Sequence, residues 1–72
     1  MSKYLSIIIA DDHALLRDAL HMLLEREPGI FIAACVGDGD HALRESLRLK
    51  PQIVLLDVNM PGRSPFEVAR TL

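Results

Sequence analysis

Three aspartates in this 72-residue sequence stand where they could do chemistry together. Asp11 and Asp12 directly follow one run of apolar residues, and Asp57 directly follows a later one. Carboxylates that lie close together repel one another, and a hard dication such as Mg²⁺ relieves that repulsion. An aspartate beside bound Mg²⁺ can act as a nucleophile toward a phosphoryl group and form an acyl phosphate. Asp57 is the best candidate for that nucleophile because it stands alone before a loop.

The stretches that would position these acids alternate between two patterns. Short, apolar, β-branched runs are typical of strands buried on both faces of a parallel sheet. Apolar residues spaced three and four positions apart are typical of amphipathic helices. We predict strands over residues 4–10, 30–36 and 53–57, and helices over residues 13–27, 40–49 and 65–72. This alternation favours right-handed crossovers and a parallel sheet covered by helices.

Local signals mark where the predicted helices begin. Asp12 is a candidate N-cap of the first helix, a role that it could combine with binding a cation. The turn over residues 37–40 can cap the second helix. Ser64, with Glu67 three positions later, predicts a capping box at the start of the third helix.

The carboxyl ends of parallel strands meet at one edge of a sheet, and ligands of open α/β sheets bind at that edge. Asp11 and Asp12 end the first predicted strand, and Asp57 ends the third. If these strands are neighbours, three carboxylates converge in one shallow pocket, and His13 lies close enough to tune access to it. Taken singly, each aspartate could instead be a turn former, a helix cap or a solvated acid. The strands alone do not fix their lateral order.

The composition limits the class of protein. Half of the residues are apolar, which argues against disorder, and the net charge of −2 with interspersed signs disfavours a nucleic-acid-binding surface in this segment. The single cysteine, Cys35, fits a reducing compartment, and its apolar surroundings predict a small buried side chain. The apolar runs are far shorter than the ~20 residues of a membrane span. We therefore expect a cytoplasmic protein.

Two stretches resemble the receiver domains of two-component response regulators. Residues 7–13, Ile-Ile-Ile-Ala-Asp-Asp-His, are similar to the first strand and acidic pair of that family. Residues 53–62, Ile-Val-Leu-Leu-Asp-Val-Asn-Met-Pro-Gly, are similar to its phosphorylation-site strand and loop. The resemblance runs from Tyr4 to Leu72, and the Asp-Asp-His variant is most similar to regulators with a C-terminal helix-turn-helix output domain.

The resemblance implies a flavodoxin-like α/β fold, truncated to about three βα units with strand order 2-1-3, so that residues 1–72 form a partial receiver domain. It implies that a sensor histidine kinase phosphorylates Asp57. Mg²⁺ would be held by Asp11, Asp12, Asp57 and the backbone carbonyl of Asn59. Within this set Asp12 would be a direct ligand and Asp11 would act mostly through water. The loop beside the phosphoryl group would be shaped by Met60, Pro61 and Gly62.

The sequence also departs from the family pattern. It stops within the third helix, so the strands that carry the family's switch Ser or Thr and its Lys are absent, and Pro65 stands where Gly is frequent. The third strand is then an exposed sheet edge, which predicts that the chain is a fragment, or self-associates, or both. The protein would bind DNA and control transcription only through a C-terminal domain outside this sequence.

Two alternatives to the phosphoacceptor function remain open. The first is an interaction fragment that pairs with another receiver or partner without phosphoryl chemistry. The second, a phosphohydrolase, is disfavoured because Asn59 stands where such enzymes have a general acid. We expect no enzymatic activity beyond self-phosphorylation from a donor and slow autodephosphorylation.

Overall fold

One parallel three-stranded sheet organises the chain. The computed structural model describes residues 4–62 and 64–71. Its elements are β1 (Leu5–Ala10), α1 (Ala14–Glu25), β2 (Ile30–Val36), α2 (Gly39–Leu49), β3 (Ile53–Leu56) and α3 (Pro65–Thr71). The strands pair in the order β2-β1-β3, both pairs parallel, which confirms the expected order 2-1-3. The central strand therefore ends in the acidic pair, beside the strand that leads to Asp57.

The start of α1 differs from the sequence prediction. The cap position is occupied by His13, with extended backbone and no side-chain cap hydrogen bond among the described residues, so the assignment of Asp12 as N-cap was wrong. The physical reason is the turn before the helix, where the Asp11 carboxylate accepts the His13 backbone N–H at 2.9 Å. The helix also ends at Glu25, before the predicted end at residue 27.

The core lies around β1 and between the sheet and α2. The last four residues of β1 are at most 4% exposed, and Ile8 is fully buried. One cluster of buried side chains joins β2, α2 and the loop after β3 to this strand: Ile8, Ala10, Val36, Ala42 and Met60. Val68 of α3 is also fully buried. This core fixes β1 rigidly, and so fixes where its carboxyl end lies.

The opposite side is less well covered. None of the residues of α1 is buried, and Leu15 is 86% exposed. Cys35 is exposed as well, so the prediction of a buried side chain was wrong; it lies on β2, an edge strand of the described sheet. Ile53 and Leu55 of β3, the other edge, are also exposed. No helix among the described residues has the length and apolar character of a membrane span.

Helix α2 has well-defined ends. The Asp38 carboxylate accepts the His41 backbone N–H at 2.7 Å, which confirms the predicted capping turn. At the other end Lys50 adopts the left-handed conformation, with φ 49° and ψ 59°, and its N–H donates to the Ser46 carbonyl. A left-handed C-terminal residue is usually glycine, so Lys50 carries conformational strain here.

We expect Lys50→Gly to raise the free energy of unfolding by about 0.5–1 kcal/mol. The left-handed conformation costs a residue with a Cβ roughly 1–2 kcal/mol, and part of that gain is offset by the greater freedom of glycine in the unfolded chain. Urea titration followed by circular dichroism measures the change. Lys50→Ala removes the same charge but keeps the Cβ, so it should show no such gain. A glycine variant less stable than the alanine variant would contradict the prediction.

Candidate acidic site

Backbone pairing places the acids at one edge of the sheet. Ala10 lies opposite Leu56 in the parallel β1–β3 register, and an aspartate follows each of them. The Asp57 N–H donates to the Ala10 carbonyl at 2.9 Å, and the Asp11 N–H donates to the Val36 carbonyl at 3.0 Å. The strand ends are thus locked to one another by hydrogen bonds that continue the sheet.

The three predicted acids meet in one cluster with a histidine. Ligand atoms of Asp11, Asp12, His13 and Asp57 all lie within 4.8 Å of one another. The side chains of Asp11, Asp57 and Asp12 are 9%, 18% and 34% exposed. Asp11 is therefore the deepest of the acids, and Asp12 lies at the rim where a cation would enter.

The His13 ring is the basic group that this cluster contains. Its Nδ1 lies 3.0 Å from Asp11 Oδ1, 3.2 Å from Asp12 Oδ1 and 3.6 Å from Asp57 Oδ2. The hydrogen bond with the Asp11 carboxylate raises the pKa of His13, and the negative charges of Asp12 and Asp11 raise it further. The backbone N–H of His13 in turn lowers the pKa of Asp11. Sequence reasoning placed His13 near the pocket, whereas in the structure its ring lies within the acidic cluster.

These shifts predict how stability without divalent cations depends on pH. The folded-state pKa of Asp11 is lowered. Its contribution to the free energy of unfolding is therefore present above its ordinary pKa of 3.8 and is lost as pH falls through the lowered pKa. The folded-state pKa of His13 is raised. Its contribution to the free energy of unfolding is therefore complete below pH 6.5 and is lost as pH rises through the raised pKa. The free energy of unfolding should therefore be highest between about pH 3.8 and pH 6.5 and decline on both sides of that range.

Urea titrations across that range, in a chelating buffer, measure the dependence. His13→Asn keeps a side chain suited to the N-cap but removes the titrating ring. The variant should lose the decline on the alkaline side and keep the one on the acid side. An alkaline decline as steep in His13→Asn as in the wild type would contradict the role assigned to the ring.

One carboxylate oxygen of the cluster, Asp57 Oδ2, lies 3.6 Å from His13 Nδ1, beyond hydrogen-bond distance. Asp57 Oδ1 accepts the Asn59 backbone N–H at 3.1 Å, whereas Oδ2 is buried and has no hydrogen-bond partner among the described residues. A buried, unsatisfied carboxylate oxygen is costly unless a cation or donor lies against it. Mg²⁺ prefers oxygen ligands and retains several waters. The oxygen-rich donor set, with an Oδ2 that accepts no hydrogen bond from the described residues, therefore fits this ion.

The loop after Asp57 is anchored to the start of α2. The Gly39 N–H donates to the Pro61 carbonyl at 3.1 Å. Gly62 has φ 86°, a conformation that favours glycine, and a Cβ there would lie 3.4 Å from the Gly39 nitrogen. Met60 is 7% exposed and packs in the core. The three predicted loop residues thus hold the loop in place.

Sequence reasoning missed Arg17. Its guanidinium Nη1 donates to the Asp11 backbone carbonyl at 2.7 Å, from one turn into α1. The only sequence signal was a cationic residue among the apolar positions of that helix, and such residues are common on exposed helix faces. The contact depends on the turn that brings the helix back over the strand end.

Known proteins are similar to this chain in sequence and in fold. The sequence matches the family described as "Response regulator receiver domain" over residues 7–72. It is 40% identical over 70 residues to protein-glutamate methylesterase/protein-glutamine glutaminase 6 of Anaeromyxobacter dehalogenans (strain 2CP-C), covering 97% of this chain and 20% of that protein. It is 39% identical over 66 residues to the nitrate/nitrite response regulator protein NarP of Escherichia coli (strain K12), covering 92% of this chain and 31% of NarP.

A solved structure shows the same architecture. The signal receiver domain of the response regulator NarL from Mycobacterium tuberculosis superposes with a TM-score of 0.90 at 28% identity, covering 94% of this chain and 55% of that chain. This chain spans less than a third of either curated relative, and those relatives are named for different activities. What they share with it is the flavodoxin-like receiver fold. The chain belongs to the receiver-domain family of two-component response regulators.

Proposed function

We propose that this chain is a phosphoacceptor module in which Asp57 receives a phosphoryl group in the presence of Mg²⁺. The observation that supports the proposal most is the Asp57 carboxylate itself. It stands at a strand end beside two further carboxylates, with one oxygen held by Asn59 and the other, Oδ2, buried without a hydrogen-bond partner among the described residues. Such an oxygen keeps its lone pairs available for a cation or for phosphorus.

The arrangement suggests which residues hold the ion. Asp12, the most exposed of the three acids, is suited to direct ligation. Asp11 already accepts the backbone N–H and faces the ring of His13, which suits contact through water. Asp57 and the backbone carbonyl of Asn59 complete the proposed set. When bound, Mg²⁺ would neutralise negative charge on the phosphoryl oxygens.

The transfer needs no proton to be taken from the nucleophile, since the carboxylate is already anionic. One Asp57 carboxylate oxygen forms a bond to phosphorus while the bond to the donor breaks in line. With a phosphohistidine donor the N–P bond breaks, and the imidazole nitrogen keeps its electron pair. With acetyl phosphate the P–O bond breaks and acetate leaves. The products are the aspartyl phosphate and the free donor.

The proposed donor in the cell is a sensor histidine kinase, in the cytoplasm. Control of transcription is proposed only for a longer protein with a DNA-binding domain outside this sequence, as the resemblance to regulators with a helix-turn-helix output domain implies. The methylesterase relative indicates that related segments serve other outputs. Self-association through the β3 edge is also a proposal, supported by the exposure of Ile53 and Leu55.

Intact-mass measurement tests the proposal. The chain is incubated with Mg²⁺ and acetyl phosphate, with Asp57→Asn and a chelator as parallel controls. We expect the mass of one phosphoryl group on the wild type alone, and only when Mg²⁺ is present. A folded wild-type chain that gains no mass would overturn the proposal and favour the interaction fragment that pairs without chemistry.

A further inference from the structure

Asp11 is held at every polar atom of its backbone. Its N–H donates to the Val36 carbonyl at 3.0 Å, and its carbonyl accepts from Arg17 Nη1 at 2.7 Å. Its side chain accepts the His13 N–H at 2.9 Å. The turn that carries the acidic pair is therefore fixed from three sides. Of these three contacts, only the one from Arg17 is made by a side chain within a helix.

Gly37 leaves the space that Arg17 occupies. A Cβ built on Gly37 would lie 3.1 Å from Arg17 Nη1, closer than most such contacts in proteins. The positive-φ glycines of the chain are Gly29 and Gly62, so the backbone of Gly37 does not require glycine. What glycine provides at position 37 is room. An added methyl would require the guanidinium to shift by a few tenths of an ångström, against its hydrogen bond to the Asp11 carbonyl.

We propose that Arg17 is a positioning residue for the phosphoacceptor pocket, seated over Gly37 and holding the Asp11–Asp12 turn in the geometry that receives a divalent cation. The inference rests on the proposed function, since it names what sets the geometry of that same site. Among the described residues no carboxylate pairs with Arg17, and its hydrogen bond is to a backbone carbonyl. Arg17 therefore acts on the proposed cation site through the Asp11–Asp12 turn.

Charge and position predict opposite outcomes for Arg17→Met. If Arg17 acted only as a nearby positive charge, its removal would make the pocket more negative and tighten Mg²⁺ binding. If it positions the acidic pair, its removal lets the turn relax and weakens binding. Removing residues that orient metal ligands typically costs ten- to a hundredfold in affinity, so we expect a loss of about tenfold. The direction of the change therefore distinguishes the two roles.

The first experiment measures Mg²⁺ dissociation constants by calorimetry for the wild type, Arg17→Met, Arg17→Lys and Arg26→Met. Arg26 is exposed at the end of α1, so it loses the same charge far from the pocket. We expect weaker binding in Arg17→Met, partial recovery in Arg17→Lys and wild-type affinity in Arg26→Met. Tighter or unchanged binding in Arg17→Met would overturn the proposal.

The second experiment perturbs the same hydrogen bond from the other side. Gly37→Ala should weaken Mg²⁺ binding by about threefold, a smaller effect than that of losing the orienting side chain. In the Arg17→Met background the same alanine should have no effect, because the guanidinium that it displaces is gone. A full additive loss in the double variant would show that Gly37 acts independently of Arg17, against the proposal.

Amide hydrogen exchange separates failure of this inference from failure of the proposed function. The His13 N–H, bonded to the Asp11 carboxylate, should exchange faster in Arg17→Met and Gly37→Ala than in Arg26→Met, without any metal present. If the wild type binds no Mg²⁺ but this pattern holds, the proposed function fails while the positioning role stands. If the wild type binds Mg²⁺ and His13 exchange is unchanged in both variants, the positioning role fails alone.

Discussion

Asp12→Asn is expected to weaken Mg²⁺ binding by about tenfold or more. The Asp12 side chain is the most exposed of the three acids, and its Oδ1 lies 3.2 Å from His13 Nδ1. It is thus the acid that an entering ion reaches first. Asparagine has nearly the same shape but no charge, and Mg²⁺ binds carboxylate oxygens more strongly than neutral ones. The loss should be at least as large as the tenfold that loss of an orienting partner costs.

The same change can be measured as stability. An ion present at a hundred times its dissociation constant stabilises the folded chain by about 2.7 kcal/mol. Tenfold weaker binding would remove about 1.3 kcal/mol of that stabilisation at the same Mg²⁺ concentration. Calorimetry gives the affinity, and urea titrations with and without Mg²⁺ give the stabilisation independently. Agreement between the two would show that the ion binds the folded state through the acidic cluster.

The matched control is Asp18→Asn. Asp18 is an exposed acid on α1, so it undergoes the same chemical change outside the cluster. We expect it to bind Mg²⁺ as the wild type does. If Asp12→Asn binds as tightly as Asp18→Asn, then Asp12 is no ligand, and the proposed division of roles between Asp12 and Asp11 is wrong.

The strand order and the meeting of the acids were predictable from the sequence, for different reasons. Apolar runs such as residues 7–10 indicate buried strands because only a strand covered on both faces tolerates consecutive apolar side chains. That pattern locates the strand ends, and with them Asp11 and Asp57. It does not order the strands. The order 2-1-3 came from the resemblance to receiver domains, and the structure confirms it.

The contacts within the pocket could not be predicted, because they depend on the path of a turn. The sequence offered Asp12 as the cap of α1, and only the turn geometry shows that His13 takes that position. The reach of Arg17 back to the Asp11 carbonyl depends on where the helix leaves the strand and on the missing side chain at Gly37. A single sequence carries no specific signal for either.

Burial that depends on distant elements could not be predicted either. Helical spacing gave the first predicted helix an apolar face, and in the structure Leu15 and Leu16 of α1 are 86% and 49% exposed. Cys35 lies in an apolar run but is exposed. Periodicity reports which side chains share a face; it does not report what covers that face. In the described residues nothing covers the outer side of α1 fully.

Ile8→Ala is expected to abolish cooperative folding or come close to it. Ile8 is 0% exposed, lies in the central strand and pairs with Ala34 on one side and Val54 on the other. Replacing a buried isoleucine with alanine costs about 2–5 kcal/mol. A folded chain of 72 residues has a free energy of unfolding of roughly 4–11 kcal/mol by the usual value per residue. The substitution therefore removes a large part of the stability.

Two variants keep this prediction testable even if Ile8→Ala fails to fold. Ile8→Val removes one methylene and should cost only about 1 kcal/mol. Leu15→Ala removes three carbons from a side chain that is 86% exposed, so it creates no cavity and should leave the free energy of unfolding nearly unchanged. Urea titration by circular dichroism compares all three. A loss in Leu15→Ala as large as in Ile8→Val would mean that the outer side of α1 is covered in solution.

The site should respond to these core changes in a graded way. Strand β1 carries Asp11 at its end, held to Val36 and reached by Asp57 through Ala10. Ile8→Val, which stays folded, should keep Mg²⁺ affinity within about twofold of the wild type, since the cavity lies two residues from the strand end and cores of this kind relax locally. A much larger loss of affinity would show that the packing of the strand interior sets the geometry of the acids directly. In that case the turn contacts of Asp11 would be too weak to hold the pocket when the strand beneath it shifts.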